Sequence, residues 1–344
     1  MMTMRSVCLL ALLPVLVAAC AEPAAVPAVR TASVTADAET TAVKTSDDAA
    51  DDPAIWRNAA NPAASLIVGT DKKAGLYVYD LAGKVRHFID AGRVNNVDLV
   101  DTPQGVIVAA SDRSDEANAH IALFRLDTQA ARLIPIGRVP AGAGEAYGMC
   151  LWATPTGSAI TAFIVMKDGT IRQIELDTAS ATGRTVRTMK LATQSEGCVV
   201  DPRTARLYVA EEDVGIWRWD ARASGPVRPV KLAGVDGKRL VADVEGLAIA
   251  ADGAGNGGWL VASSQGDNAY AVYRLADDRF VGRFRIAAGT FGSTQETDGI
   301  AVMTGDFGAG FGGGLMVAQD GENVPTQNFK LVGWAKVKAA LRLP

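Results

Sequence analysis

Six times along the chain, at intervals of roughly fifty residues, an acidic or amide-rich cluster runs directly into a short apolar stretch. The copies are DDPAIW (51–56), NNVDLV (95–100), EAYGMCLW (145–152), SEGCVV (195–200), VEGLAIA (244–250) and TDGIAVM (297–303). Each is followed by alternating or branched-apolar runs with strand character, such as SLIVGTD (65–71) and GLYVYDLAGK (75–84). The second of these returns as IALFRLD (121–127), TIRQIELD (170–177), GIWRWDA (215–221), YAVYRLAD (270–277) and FKLVGW (329–334). Most copies end in Asp or a Gly-containing turn, as a hairpin leading to an outer strand does. Units of this length with about four strands cannot bury their faces alone and must pack around an axis. The pattern therefore predicts an all-β fold, a six-bladed β-propeller. Only WAKVKAALRL (334–343) has a helical period, and it is expected to form a short terminal element.

If each acidic cluster opens the innermost strand of its blade, the carboxylates converge near the axial channel. Like charges gathered in that way are costly unless cations neutralise them, so the spacing predicts bound metal. His87 and His120 are the only histidines, which argues against a zinc site built on imidazole. Hard oxygen donors dominate instead: Asp47, Asp48, Asp51, Asp52, Glu196, Glu211, Glu212, Asp243, Glu245, Glu296, Asp298, Asp320 and Glu322. Such a set suits calcium, which takes six to eight oxygens. A single Asp of this kind is ordinarily a solvated turn residue; the periodic placement favours ligation for the set. Lys72, Lys73, Arg93, Arg113 and Lys167 fall in turns just after predicted strands. Beside several calcium ions they would form a cationic face for a densely anionic ligand such as a polyphosphate, gripped by Arg as a fork and by Lys as a point charge.

Composition changes the picture in three places. A formal net charge of −4 argues against a nucleic-acid partner. Arg5, the apolar stretch 7–18 and VAAC (17–20) read as a signal of the bacterial lipoprotein type over residues 1–19, with Cys20 as the acylated residue, or otherwise as an ordinary secretory signal. Both place the protein outside the cytoplasm. Because Ala21 is not acidic, an outer-membrane tether is the better expectation, with lipid as the only membrane attachment. Residues 20–45, rich in Ala, Pro, Thr and Val, are expected to be a flexible spacer before a single propeller domain over 46–344, most simply a monomer. Cys150 and Cys198, the two cysteines left in that domain, either form one disulfide or stay as buried thiols.

The motifs DDPAIW, GTDKKAGLYVYDL, GRVNNVD, ASDRS, YGMCLW, QSEGCVVD, LYVAEEDVGIWRW, DVEGLAI, ASSQGDNAYAVY, TDGI, VAQDGEN and QNFKLVGW, in this order, resemble the β-propeller phytases from about residue 46 to 338. The resemblance implies a propeller whose top face binds several calcium ions and hydrolyses calcium-complexed phytate, with one phosphate at a cleavage site and a neighbour at an affinity site. It implies that Asp52, Glu196, Glu212, Glu245 and Asp298 belong to the calcium shell. Asp51, Gln265 and the carbonyls of Pro53 and Val97 would lie near them. Lys73, Arg113 and Lys167 resemble the family's phosphate-binding cations, Asp243 an adjacent acid, and Tyr147 a ring facing the cluster. Glu196 and Glu212 would also stand at the reacting phosphate. One departure is Gly292, where the family has an aspartate six residues before the TDGI aspartate; either that ligand is lost or neighbouring Glu296 substitutes for it.

The implied chemistry is direct attack of a calcium-activated water on phosphorus. The chain carries neither an HCxxGxxR loop nor an RHG motif, so covalent phospho-enzyme routes of those two kinds are closed. Two rivals use the same fold: a calcium-dependent lactonase or esterase, and a non-catalytic lipoprotein propeller that binds a partner. The first would be expected to have fewer basic residues and a histidine near the metal. The second gives no reason for Lys73, Arg113 and Lys167 to crowd the metal face.

Overall fold

A computed structural model describes residues 29–154, 159–308 and 310–344. The signal segment and Cys20 lie outside the described residues. Six sheets carry the fold, and each opens on the strand that begins with one of the six repeated clusters or directly after it. Blade 1 runs Ala50–Trp56, Leu66–Asp71, Gly75–Asp80 and Val85–Asp90, from the axis outward. The innermost strands of blades 2 to 6 are Val94–Thr102, Ala146–Ala153, Ser195–Asp201, Val244–Ala251 and Ile300–Met303. Every recurrence of the GLYVYDL cadence is a third strand, for example Thr170–Asp177 and Asn328–Gly333.

Blades stack face to face, so their middle strands are covered on both sides and need apolar residues throughout rather than in alternation. Leu66–Asp71 and Ile160–Met166 are buried along their whole length. The core accordingly divides into six apolar clusters, one between each pair of neighbouring blades. Several aspartates that close third strands are turn formers rather than ligands: Asp80 Oδ1 accepts the N–H groups of Ala82 at 3.0 Å and Lys84 at 3.1 Å, and Asp220 Oδ1 that of Arg222 at 2.9 Å.

Residues 31–39 depart from the flexible spacer expected over 20–45. Thr31–Thr35 adds a fifth, parallel strand to the outer edge of blade 5, and Ala38–Glu39 is the outermost strand of blade 6. The chain's start thus closes the ring onto its end. The physical reason is that blade 6 takes only three strands from the C-terminal sequence, and its exposed edge at Asn328–Gly333 binds the nearest unpaired backbone. Thr40 Oγ1, accepting from Phe329 N at 3.0 Å, and Gln327 Oε1, accepting from Ala49 N at 2.6 Å, extend the clasp. The propeller domain therefore begins near residue 31 rather than 46. The helix expected at the C-terminus is present as Trp334–Leu341, with Trp334 and Val337 buried against blades 5 and 6.

Cys150 and Cys198 form a disulfide across the innermost strands of blades 3 and 4, with 5.6 Å between their Cα atoms. Of the two states open from sequence, the bridged one is therefore observed. It ties together the strands that present Tyr147 and Glu196 to the axis.

Candidate active site

In five blades the pairing register shifts at the start of the innermost strand: between Ala50 and Pro53, Val94 and Val97, Ala146 and Gly148, Ser195 and Cys198, and Val244 and Leu247. A bulge leaves a residue out of the ladder and re-aims its side chain. The residues freed in this way are Asp51, Asn95, Tyr147, Glu196 and Glu245, and Asp298 takes the sixth equivalent place just before Ile300–Met303. The following positions are Asp52, Asn96, Gly148, Gly197, Gly246 and Gly299. The four glycines among these are each required by the close approach of the next blade's backbone. A Cβ on Gly197 would stand 2.2 Å from Glu245 O, and one on Gly299 2.4 Å from Asp52 Cα. Backbone bonds bind the ring together, Gly246 N donating to Asp298 O at 2.8 Å and Gly299 N to Asp51 O at 2.9 Å.

Above the ring opens a cleft of about 620 Å³ whose walls include Asp48, Lys72, Tyr147, Glu196, Glu212, Asp243, Glu245, Gln265 and Asp298. Carboxylate oxygens of Glu196, Glu212 and Glu245 all lie within 4.8 Å of one another, and all three residues are buried. Lys72 Nζ enters from blade 1 and pairs with Asp48 at 2.7 Å, Asp51 at 3.0 Å and Asp298 at 3.2 Å. Asn95 Nδ2 donates to Glu196 Oε1 at 2.7 Å and to Asp51 Oδ2 at 3.2 Å, and Gln265 Nε2 donates to Asp298 Oδ1 at 2.7 Å. Glu212 Oε1, Glu245 Oε2 and Asn95 Oδ1 are buried with no hydrogen-bond partner. Three unpaired buried oxygens, two of them the triad's own, form a donor set that fits a cation.

The electrostatics agree. Burial, then Asp51 and Glu245, push the Glu196 carboxyl well above the usual range. Burial and then Asp298 do the same for Glu245. Burial, with Asp243 and Asp213 adding to it, lifts Glu212 to about 7, and burial with Asp51 lifts Asp298 to about 8. Burial opposes the Lys72 charge, but Asp51, Asp298 and Asp48 outweigh it and hold the ammonium firmly protonated. Carboxyls whose folded values exceed their unfolded ones bind more protons in the native state, so native stability is lost as pH rises through the folded values. Starting from ordinary values of 3.8 and 4.5, the window for Asp298 and Glu212 closes at about 8 and about 7. The metal-free protein is therefore expected to melt at a higher temperature at pH 5.5 than at pH 8.5. Added calcium should remove or reverse that slope, because a bound cation favours the ionised carboxylates. Thermal melts at the two pH values, with chelator and with calcium, check both signs.

A phytase family model matches residues 2–343. The chain belongs to the phytase family. It is also 40% identical over 324 residues to a protein of Bacillus subtilis (strain 168) named 3-phytase, an alignment covering 88% of this chain and 84% of that one.

Within this family framework the expected site residues fall into separate groups. Glu196, Glu212, Asp243, Glu245, Gln265 and Asp298 share the cleft. Asp52, Pro53 and Val97 line the channel on the other side of the ring, where Asp52 Oδ2 accepts from Val97 N at 3.0 Å. Asp51 is held on the cleft side by Lys72 and Asn95. Tyr147 reaches the cleft flanked by two cations, with Lys167 Nζ 5.2 Å and the Arg113 guanidinium carbon 5.8 Å from its ring centroid.

The structure places four of the expected residues outside the carboxylate ring. Lys73 turns outward, donating to Ser46 O at 2.8 Å, and it is the adjacent Lys72 that enters the ring. Glu211 points back into its own blade, where it accepts from Ala192, Thr193 and Trp217, while Glu212 takes the cleft. Glu296 lines the cleft wall from an exposed position, outside the close carboxylate set. Asp320 is held at 3.2 Å by the fully buried Lys330, which also pairs with Glu39 at 2.6 Å. A Cβ at Gly292 would stand 3.4 Å from that ammonium, so the loop that lacks the family aspartate faces a built-in cation. Asn95 was missed as a site residue although its motif was aligned with the acidic ones; an amide at a carboxylate position was the available signal.

Proposed function

We propose that this phytase hydrolyses phosphomonoesters of myo-inositol hexakisphosphate in a calcium-dependent reaction, releasing inorganic phosphate and lower inositol phosphates. The observation that carries it is one cleft holding the Glu196, Glu212 and Glu245 triad within 4.8 Å together with Tyr147, whose ring Arg113 and Lys167 flank. The triad fits calcium in donor type, since every ligand on offer is a hard oxygen and two of its oxygens are unpaired. Glu196, Glu212, Glu245 and Asp298 would hold one part of it from above the ring, and Asp52 with the Pro53 and Val97 carbonyls another from below. Bound calcium supplies charge neutralisation and water activation for in-line displacement at phosphorus.

The chain's own groups do the rest. Arg113 offers a planar fork for two phosphate oxygens, Lys167 a point charge for a neighbouring one, and the Tyr147 ring fixes the gap between them. Asp243 and Glu212 stand on the same wall, where a carboxylate can take the proton of the attacking water. Cys150 and Cys198 are consumed in a disulfide, which removes both as nucleophiles. Purified protein incubated with inositol hexakisphosphate and calcium should release inorganic phosphate and yield lower inositol phosphates on anion exchange. Hydrolysis of lactones or simple esters with intact phytate would replace this account with the lactonase alternative.

The same proposal places the protein outside the cytoplasm, supported by a disulfide that an oxidising compartment maintains. Among the described residues no helix is long and apolar enough to cross a membrane. Thr31–Thr35 runs parallel to Arg279–Ala287, which is antiparallel in sense to the innermost strand of its blade, so this edge strand runs toward the carboxylate ring, with Thr31 opposite Arg283 partway down the blade.

A further inference from the structure

Glu145 lies between the two cations that flank Tyr147, and neither the family resemblance nor the metal set gives it a role. It sits in the short connection between the outer strand of blade 2, Arg132–Ala143, and the innermost strand of blade 3, Ala146–Ala153. Its Oε1 is 3.4 Å from Arg113 Nη1 and its Oε2 is 4.0 Å from Lys167 Nζ. Its backbone carbonyl accepts from Lys167 N at 3.2 Å, so one residue sets both the main chain of Lys167 and the charge facing its ammonium. The carboxylate is well shielded at 19% side-chain exposure, as is Arg113 at 15%, and Arg113 Nε is buried without a partner.

The two contacts are both longer than the 2.7–2.9 Å usual for a charge-assisted bond. Glu145 is thus shared between the cations and locked on neither. Arg113 and Lys167, both brought to one ring, would repel each other without a shared anion, and the carboxylate of Glu145 answers both. A phosphate group carries more charge and more acceptor oxygens, and it fits the same pair better. We infer that Glu145 is a positioning residue that occupies the phosphate-binding cations in the free enzyme and competes with phosphate for them, setting phosphate affinity and hence how readily product leaves. This rests on Arg113 and Lys167 being the phosphate-binding pair.

The consequence has an unusual sign: removing the residue's charge should tighten anion binding rather than weaken it. Glu145→Gln keeps the shape and an acceptor oxygen but removes the charge. Loss of one partly exposed elementary charge next to a bound phosphate is expected to lower the Ki of inorganic phosphate by about tenfold. The probe is inorganic phosphate as an inhibitor of phytate hydrolysis, at free calcium below calcium phosphate saturation. KM for phytate should fall in the same variant, while kcat should not rise. Glu145→Asp, which keeps the charge, should show less than half of that change on a logarithmic scale, and it remains informative if the Gln variant folds poorly. Arg113→Ala serves as the control and should raise the phosphate Ki. An unchanged or raised Ki in Glu145→Gln, with Ki raised in Arg113→Ala, would overturn the role of Glu145 alone. An unchanged Ki in Arg113→Ala would overturn the phosphate-binding pair itself, and the inference with it.

Discussion

Stripping the cation from the carboxylate ring is expected to lower the melting temperature and stop phosphate release together. Glu196, Glu212 and Glu245 stand within 4.8 Å of one another in a buried setting, and Asp51 and Asp298 are already shared with the single ammonium of Lys72. Without metal the remaining charge must be relieved by protonation or by opening the ring. A ligand at a hundredfold excess over its Kd stabilises the native state by about 2.7 kcal/mol. At an unfolding entropy of about 2.1 cal/mol/K per residue, one kcal/mol moves the Tm of a domain this large by about 1.5 °C, so two such ions correspond to a shift on the order of 8 °C. Calcium should restore both properties. Magnesium should restore them poorly, because it demands tight octahedral geometry that a wide cage of fixed carboxylates does not supply. Melting that is unchanged in excess EDTA would show that the ring is held without metal.

Replacing Arg113 or Lys167 by alanine is expected to lower turnover on phytate by about a hundredfold for each, the loss of one transition-state contact of about 3 kcal/mol. Both side chains flank Tyr147 at the cleft, and neither belongs to an interblade apolar cluster, so the fold should survive. Arg113→Lys should not rescue, since a point charge cannot replace a fork that grips two oxygens. Steady-state kinetics alongside circular dichroism separate the effect from unfolding. Near wild-type turnover in both alanine variants would move the substrate to another face of the propeller.

The propeller was legible because its signal is periodic. Six copies of an acidic opening and six of the GLYVYDL cadence fall on innermost and third strands, and the bulge that aims Asp51, Glu196 and Glu245 inward acts at the same place in five units. What was not legible has local physical causes. Thr31–Thr35 and Ala38–Glu39 are edge strands of five and two residues that read as spacer, since their strand character comes from the edges they meet. Lys72 and Lys73, like Glu211 and Glu212, are adjacent residues at a strand end, where one turns inward and the next does not. Composition cannot choose between such neighbours; the backbone path decides, as when Lys72 N and Glu212 N donate to Ala49 O and Gln194 O. The pairing of Lys330 with Glu39 and Asp320 joins residues nearly three hundred positions apart, so the cation facing Gly292 could not be read from the loop itself.

The most direct test of a calcium-holding carboxylate ring that serves phytate hydrolysis is the rate of phosphate release from inositol hexakisphosphate as free calcium is titrated, compared between wild type and Glu245→Gln. Calcium affinity depends on ligand charge count, so the variant should need more free calcium for half-maximal rate. Wild type should fall to background when calcium is removed. A rate independent of free calcium in wild type, or superimposable curves for the two proteins, would contradict the assignment of this ring as the metal site of the reaction.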